Sequence, residues 1–297
     1  MVNGWQACSA GPSAVRNYIQ KNKLLMNDPL FDVSGKVIVI PGGGGALGGA
    51  MARFLLERGA KVAILSLHQS SVDKKMETLS EVSSDVMGIA CDVTSKETLE
   101  EACQQILQRW GTIDVLINAA GGNMPGATVS PEQTVFDVSV EALQKVLDLN
   151  LMGSVLPTLV FGKVMADRKS GSIINVSSMA ATHSITRVLG YSIAKAGIDM
   201  LTKWMAMEMA MKFGDGIRVN AIAPGFFIGK QNERLLTNED GSLTPRGETI
   251  IQNTPMGRFG KADELNGAIL YLCSEASRFV TGTIIPIDGG FESFSGV

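Results

Sequence analysis

Ser178, Tyr191 and Lys195 fall in the run SSMAATHSITRVLGYSIAK, and their types and spacing are the feature of this chain most able to do chemistry. Tyr191 and Lys195 are about one helical turn apart, so a helix through them carries the phenol and the ammonium on one face. An unperturbed tyrosine titrates near pH ~10, and lowering that by about three units takes roughly 4 kcal/mol of differential stabilisation. A neighbouring ammonium contributes in that direction. Tyr191 is therefore expected to be a proton donor and acceptor with a pKa depressed by Lys195. By itself the pair is also a common surface pattern, so the elements around it decide between the two readings.

Those elements are legible. The apolar run Val37, Ile38, Val39, Ile40 reads as a buried parallel strand, the glycine-rich PGGGGALGG follows from Pro41 to Gly49, and AMARFLL continues with helical spacing. Strand, glycine loop and helix in that order are the setting in which backbone amides at a helix start receive a pyrophosphate. Further strands are predicted at 61–66, 86–92, 115–118, 171–177, 217–223 and 283–287, with the first at 36–41. Helical patterns at 45–58, 70–83, 96–110, 140–168, 190–213 and 261–275 alternate with them. The implied fold class is α/β: a doubly wound, seven-stranded parallel sheet (a Rossmann fold) in a single domain, with ligands at the carboxyl ends of the strands.

In this arrangement the motifs resemble those of the short-chain dehydrogenase/reductase family across roughly residues 31–297. Gly42, Gly44, Gly45, Ala46, Leu47 and Gly48 resemble its glycine loop, and Asp92 and Val93 the pair that contacts adenine. Asn118, Ala119, Ala120 and Gly121 are similar to the segment after its fourth strand. Pro224 and Gly225 resemble the turn beneath the nicotinamide, with Phe227 and Ile228 just beyond. The resemblance implies catalytic roles for Asn150, Ser178, Tyr191 and Lys195. Tyr191 becomes the general acid/base, Ser178 a donor to the substrate oxygen, and Lys195 also a ligand of the nicotinamide ribose. Asn150 is implied to hold a water that links Lys195 to solvent. The implied reaction is hydride transfer between a nicotinamide and a carbonyl or secondary alcohol.

The cofactor is narrowed less firmly. Ser66 ends the second strand where NAD enzymes usually carry an acidic residue, so the filter against a 2′-phosphate is missing. Leu67 and Gly45 stand where an NADP enzyme usually has a base, leaving His68, Lys74 and Lys75 as the nearby basic residues. The reading is NADP(H) or NAD(H), leaning to NADP(H). Pro41, Ala46, Ala119 and Gly229 depart from the family pattern, and modest cofactor affinity is expected from them.

For the substrate, residues 225–255 resemble the family's substrate lid. Phe226, Phe227 and Ile228 are apolar, but Lys230, Gln231, Asn232, Arg234 and Arg246 make the rest polar, which fits a small hydroxylated or carboxylated molecule better than a steroid or acyl chain. AAGGNMP, PGFF with QN, and LLTNEDGSLTPRG resemble the D-mannonate oxidoreductase (fructuronate reductase) branch of the family. On that resemblance Asn123, Gln231 and Asn232 are candidates for substrate hydroxyls, and Arg187 or Arg234 for a carboxylate. The alternatives are a 3-oxoacyl reductase-like enzyme and a non-catalytic nucleotide-binding regulator.

Composition bounds the rest. A chain of 297 residues with 45% hydrophobic and 19% charged content can bury one sizeable core. Its net charge of −3 shows no basic stripe for nucleic acid, and no continuous apolar run has the length of a membrane span, so neither partner is expected. Four scattered cysteines imply reduced thiols and a cytoplasmic location, and two histidines make a metal site unexpected. Residues 1–28 read as an N-terminal extension ahead of the domain at 29–297. The helices containing Asn150 and Tyr191 correspond to those that assemble the family's dimers, and a homotetramer or homodimer is expected.

Overall fold

The computed structural model describes residues 28–229 and 233–296. Nearly all of the N-terminal extension, and Lys230, Gln231 and Asn232 of the lid, lie outside the described residues.

Seven parallel strands form one sheet in the order β3-β2-β1-β4-β5-β6-β7. They are β1 (Val37–Pro41), β2 (Lys61–Ser66), β3 (Val86–Ala90), β4 (Val115–Asn118), β5 (Gly171–Val176), β6 (Ile217–Pro224) and β7 (Ile284–Ile287). The helices are α1 (Ala46–Leu56), α2 (Gln69–Leu79), α3 (Lys96–Trp110), α4 (Val140–Leu147), α5 (Gly153–Arg168), α6 (Leu189–Phe213), α7 (Glu233–Leu236), α8 (Pro245–Gln252) and α9 (Asn266–Cys273). Every predicted strand is present, within two residues at either end.

The unbroken apolar run of β1 has a simple cause, because the sheet is covered on both faces. Ile38 and Ile40 enter one core with Met51 and Leu55 of α1 and Ile269 of α9. Val37 and Val39 enter the other with Leu99 and Ile106 of α3, Phe161 of α5 and Met205 of α6. Successive side chains of a strand point to opposite faces, so a central strand between two helical layers needs an apolar residue at every position.

Two expectations are revised. The predicted helix over 140–168 is broken by a π-helical turn, Asp148–Met152, between α4 and α5. That whole stretch, Val140–Arg168, is long and apolar enough to cross a membrane, contrary to the sequence reading. It is instead half buried within the domain, with Phe161 and Met165 fully enclosed against the sheet. The lid, for which the sequence reading offered no secondary structure, contains α7 and α8. Thr244 caps α8, accepting from the Gly247 amide at 3.1 Å, and Pro245 occupies its first turn.

Candidate active site

The strand order reverses between β1 and β4, and a crevice opens there at the carboxyl ends. The glycine loop forms one wall. Gly42 has φ +83°, and a Cβ there would fall 2.5 Å from the Ala119 carbonyl carbon and the Ala120 amide nitrogen. A Cβ on Gly48 would meet the Gly42 oxygen at the same distance. These positions admit only glycine, because backbone has to approach backbone. Pro41 costs the loop little: Gly42 donates to Leu65 O at 2.8 Å and Pro41 O accepts from Ala119 at 2.9 Å, so the strand end is held from both sides. Gly45 begins α1 with no side-chain cap, and Gly45 and Ala46 are exposed. Uncapped amides at an exposed helix start are suited to an anion.

The adjoining wall is uncharged at the end of β2, with Lys75 of α2 packing its Nζ against Gly49 of α1. Ser66 lies beside Gly44, where a Cβ would stand 2.7 Å from Ser66 Oγ, while Leu67 and His68 are exposed. Asp92 is engaged locally, accepting from the Thr94 amide at 2.8 Å and the Thr94 hydroxyl at 2.6 Å, with Val93 buried next to it. Asn118 closes β4 in a buried polar ladder. Its Nδ2 donates to Asn175 Oδ1 at 2.9 Å and Thr158 Oγ1 at 3.0 Å, and Asn175 donates on to Thr202 Oγ1 at 2.9 Å. Asn118 Oδ1 is buried without a hydrogen-bond partner at the carboxyl end of β4. A glycine cradle, a free helix start and this acceptor together fit a dinucleotide.

The proposed catalytic side chains come from three places in the fold: Asn150 from the π-helical turn, Ser178 from the turn after β5, and Tyr191 and Lys195 from α6. Asn150 is fully buried in the π-helical turn; its Oδ1 accepts from Gly122 N at 3.0 Å and its Nδ2 donates to Gly122 O at 2.7 Å and Val146 O at 2.8 Å. With both amide protons committed, the side chain acts as a clamp on the segment after β4 rather than as a donor to water. The wider π turn, a feature common at functional sites, is what brings it there. Gly121 must be small: a Cβ would lie 2.6 Å from Asn150 Oδ1.

Lys195 is buried on α6, donating from Nζ to Val176 O at 2.7 Å. Burial pushes its ammonium down to about 8, opposed by the Asp199 carboxylate one turn further along. Its Nζ stands 5.4 Å from the centroid of the Tyr191 ring. Tyr191 departs from the sequence expectation in direction. Burial raises its pKa, and a hydrogen bond with the Ser178 side chain opposes that only in part. The reason is geometric: the ammonium is held by a backbone carbonyl and stands over the ring, with no hydrogen bond to the phenol oxygen.

Ser178 and Tyr191 share a cavity of about 260 Å³ with Asn123, Phe226, Leu236 and Arg246. The candidates named from sequence are distributed unequally around it. Asn123 lines the cavity, whereas Arg234 is exposed and does not. Arg187 is half-buried behind it, its Nε donating to Val129 O at 2.8 Å. Gln231 and Asn232 lie outside the described residues. Pro224 and Gly225 end β6, and Gly225 N donates to Ile287 O at 2.9 Å. Phe226 faces the cavity, Phe227 turns into the core and Ile228 donates to Gly260 O at 3.2 Å. Arg246 was not a substrate candidate in the sequence reading. The signal for its position was the Thr-Pro pair just before it, a helix start that makes the lid an ordered element.

A sequence model for the family described as enoyl-(acyl carrier protein) reductase matches residues 44–292. The chain belongs to the short-chain dehydrogenase/reductase family. It is 43% identical over 279 residues to the oxidoreductase UxuB of Bacillus subtilis, covering 91% of this chain and 99% of that one. It is 33% identical over 268 residues to a 2-dehydro-3-deoxy-D-gluconate 5-dehydrogenase of Formosa agariphila, covering 89% and 96%. Among solved structures, a candidate D-mannonate oxidoreductase of Haemophilus influenzae with bound NAD superposes with a TM-score of 0.84 at 40% identity, over 90% of this chain and 98% of that one. This short-chain dehydrogenase/reductase is thus an NAD(P)-dependent oxidoreductase acting on CH–OH groups.

Proposed function

We propose that the enzyme interconverts a keto sugar acid and its reduced alcohol, as in the fructuronate–mannonate pair, or a ketose and the related polyol. The observation that carries this reading is the shared cavity of about 260 Å³, in which Ser178, Tyr191 and Asn123 face the lid residue Arg246. The polar Asn123 and the cationic Arg246 in its lining suit a small polar substrate better than a steroid, which would leave them buried without partners. The Formosa and Haemophilus relatives support the same chemistry.

In this reading the substrate oxygen rests on Ser178 and Tyr191. A nicotinamide, when bound, supplies or accepts the hydride. Tyr191, held protonated by burial, donates to the carbonyl oxygen during reduction and takes the proton back during oxidation. Ser178 donates a hydrogen bond to the oxygen as negative charge develops. Lys195 sets the potential around the phenol and orients the cofactor ribose, and Asn150 fixes the Gly121–Gly122 segment against it. Gly42, Gly44, Gly45, Ala46, Leu47 and Gly48 receive the pyrophosphate, with Ser66, Asp92, Val93, Asn118 and Ala119 toward the adenosine. Residues 225–255 act as the lid. We assign NAD(H) as the working cofactor, in line with the Haemophilus relative and with the absence of a guanidinium at Ser66, Leu67 or His68; the neutral wall at Ser66 does not repel NADP(H).

The enzyme is further proposed to assemble as a dimer or tetramer through α6, whose Ile193, Met200, Trp204, Met207 and Met211 form an exposed apolar stripe. A reducing, cytoplasmic setting suits its free, buried Cys91, Cys103 and Cys273.

The test is a spectrophotometric screen with NADH and NADPH against fructuronate, tagaturonate, ribulose, other ketoses and acetoacetyl thioesters. Turnover highest on the keto sugar acids is the expected result. Turnover confined to thioesters overturns the reading in favour of an acyl reductase, and clear cofactor binding without any turnover favours a regulator.

A further inference from the structure

Arg246 is a cation on the wall of the reaction cavity with no acid beside it among the described residues. It leaves the first turn of α8, and the seating of that helix is rigid. Thr244 Oγ1 donates to Leu235 O at 2.8 Å, Thr244 N donates to Leu236 O at 3.0 Å, and a Cβ on Gly247 would collide with the Leu236 carbonyl. From this base the guanidinium reaches the cavity that holds Ser178 and Tyr191. Its Nη1 donates to Thr186 Oγ1 at 3.1 Å. Among the described residues, no Asp or Glu is within ion-pair distance of it.

The charge next to it has the same sign. Burial, and then the Arg187 guanidinium, disfavour protonated Arg246. Arg187 is itself held in place at a cost: its backbone has φ 79°, a left-handed conformation that a long side chain seldom adopts, and its Nε is tied to Val129 O at 2.8 Å. A half-buried cation facing a like charge and lacking a counter-ion is unfavourable in the free protein. Such an arrangement is relieved when an anion arrives, and the fork of a guanidinium matches the two oxygens of a carboxylate.

We propose that Arg246 binds the carboxylate of the substrate at one end of the cavity while the reacting carbon lies at Ser178 and Tyr191 at the other, with Arg187 adding to the positive field. The inference rests on the reading of the enzyme as a reductase of keto sugar acids and names the residue that makes the acid group matter. Thr186 accepts a hydrogen bond from the guanidinium, and Ile185, Val188 and Leu236 line the cavity with it, so a carboxylate there has Arg246 as its cationic partner. Arg234, on the same lid, is exposed and remains outside the site.

The experiment compares wild type, Arg246→Gln and Arg246→Lys, each saturated with cofactor, on fructuronate and on fructose, its counterpart without the carboxylate. Arg246→Gln is expected to lower the ratio of kcat/KM for fructuronate over fructose by roughly 30-fold or more, the scale of a charge-assisted contact, mainly through KM. Arg246→Lys should recover part of that ratio. A ratio that does not change in Arg246→Gln, whether both activities hold or both fall together, overturns the assignment while leaving the sugar-acid reading intact. Thermal melting of each variant separates loss of fold from loss of preference. A wild type that reduces fructose but neither turns over fructuronate nor binds mannonate by calorimetry overturns the sugar-acid reading, and the Arg246 inference with it. So does a wild type inert towards both substrates and mannonate.

Discussion

Asn150 and Gly122 are joined by two hydrogen bonds, Gly122 N to Asn150 Oδ1 at 3.0 Å and Asn150 Nδ2 to Gly122 O at 2.7 Å. This pair ties the π-helical turn to the segment that follows β4, between the proposed cofactor and substrate sites. Asn150→Ala removes both bonds and leaves the Gly122 amide without its partner. We expect kcat to fall roughly 100-fold, the scale of a misplacement of about 1 Å. Buried hydrogen bonds are worth about 1 kcal/mol each, so the melting temperature should also drop by several degrees. Steady-state kinetics with a thermal melt checks both, and wild-type kcat in a folded variant would remove Asn150 from the active machinery.

The raised pKa of Tyr191 makes a directional statement about pH. Carbonyl reduction needs the phenol and alcohol oxidation needs the phenolate. Reduction should therefore be flat through neutral pH and fall in alkali, while oxidation climbs there with a one-proton slope. Ser178→Ala removes the hydrogen bond that opposes the rise, so the oxidation profile should shift to still higher pH as its maximum falls. Profiles of kcat/KM in both directions measure this, and an unshifted curve in the variant would contradict it.

Lys195 gives a stability counterpart with the opposite dependence. Its ammonium is depressed from 10.5 to about 8 by burial, so between those values the unfolded chain binds more protons than the native one. Its contribution to stability therefore rises with pH across that window, and below about 8 the full cost of a buried charge is present. Lys195→Met should be inactive but more resistant to heat near neutrality, with its advantage over wild type shrinking as pH rises from 8 to 10.5. Melting curves of both proteins at several pH values test the sign.

Cofactor choice should turn on Ser66. Ser66→Asp places a carboxylate beside Gly44, where an adenosine 2′-phosphate is disfavoured by like charge. The preference for NADH over NADPH should increase roughly 10-fold or more. Ratios of kcat/KM for the two coenzymes decide it, and no change would locate the ribose contact elsewhere.

Assembly should depend on the outer face of α6. Trp204 is 52% exposed and Met211 74% exposed in the isolated chain, far more than a long apolar helix leaves to water without a partner. Trp204→Glu should halve the molar mass measured by light scattering, or lower it further, while the variant stays folded. A wild type that runs as a monomer would refute the proposed interface.

How much of this was readable in advance follows from the range of the forces involved. The glycine loop, the strands and the pairing of Tyr191 with Lys195 were legible because turn chemistry, the two-sided burial of parallel strands and helical spacing are all local rules. Gly42 and Gly48 had to be glycine for contacts that any strand–loop–helix of this type makes. The neutral end of β2 at Ser66 was likewise plain from position alone.

Other features were decided only by tertiary structure. Whether Lys195 lowers the pKa of Tyr191 depends on what else takes up the ammonium, and Val176, distant in sequence, does so. The helix over 140–168 looked continuous because its apolar pattern is continuous, yet it is broken by a π turn that carries Asn150 to Gly122, a contact 28 residues away in sequence. Of the two arginines in the polar lid the sequence reading named Arg234 for a carboxylate and not Arg246; the seating of α8 on α7 sends the first to solvent and the second to the cavity. The chain by itself thus determined the fold and the kind of chemistry, because these rest on neighbours in sequence. Direction of charge, exposure and access to the cavity rest on neighbours in space.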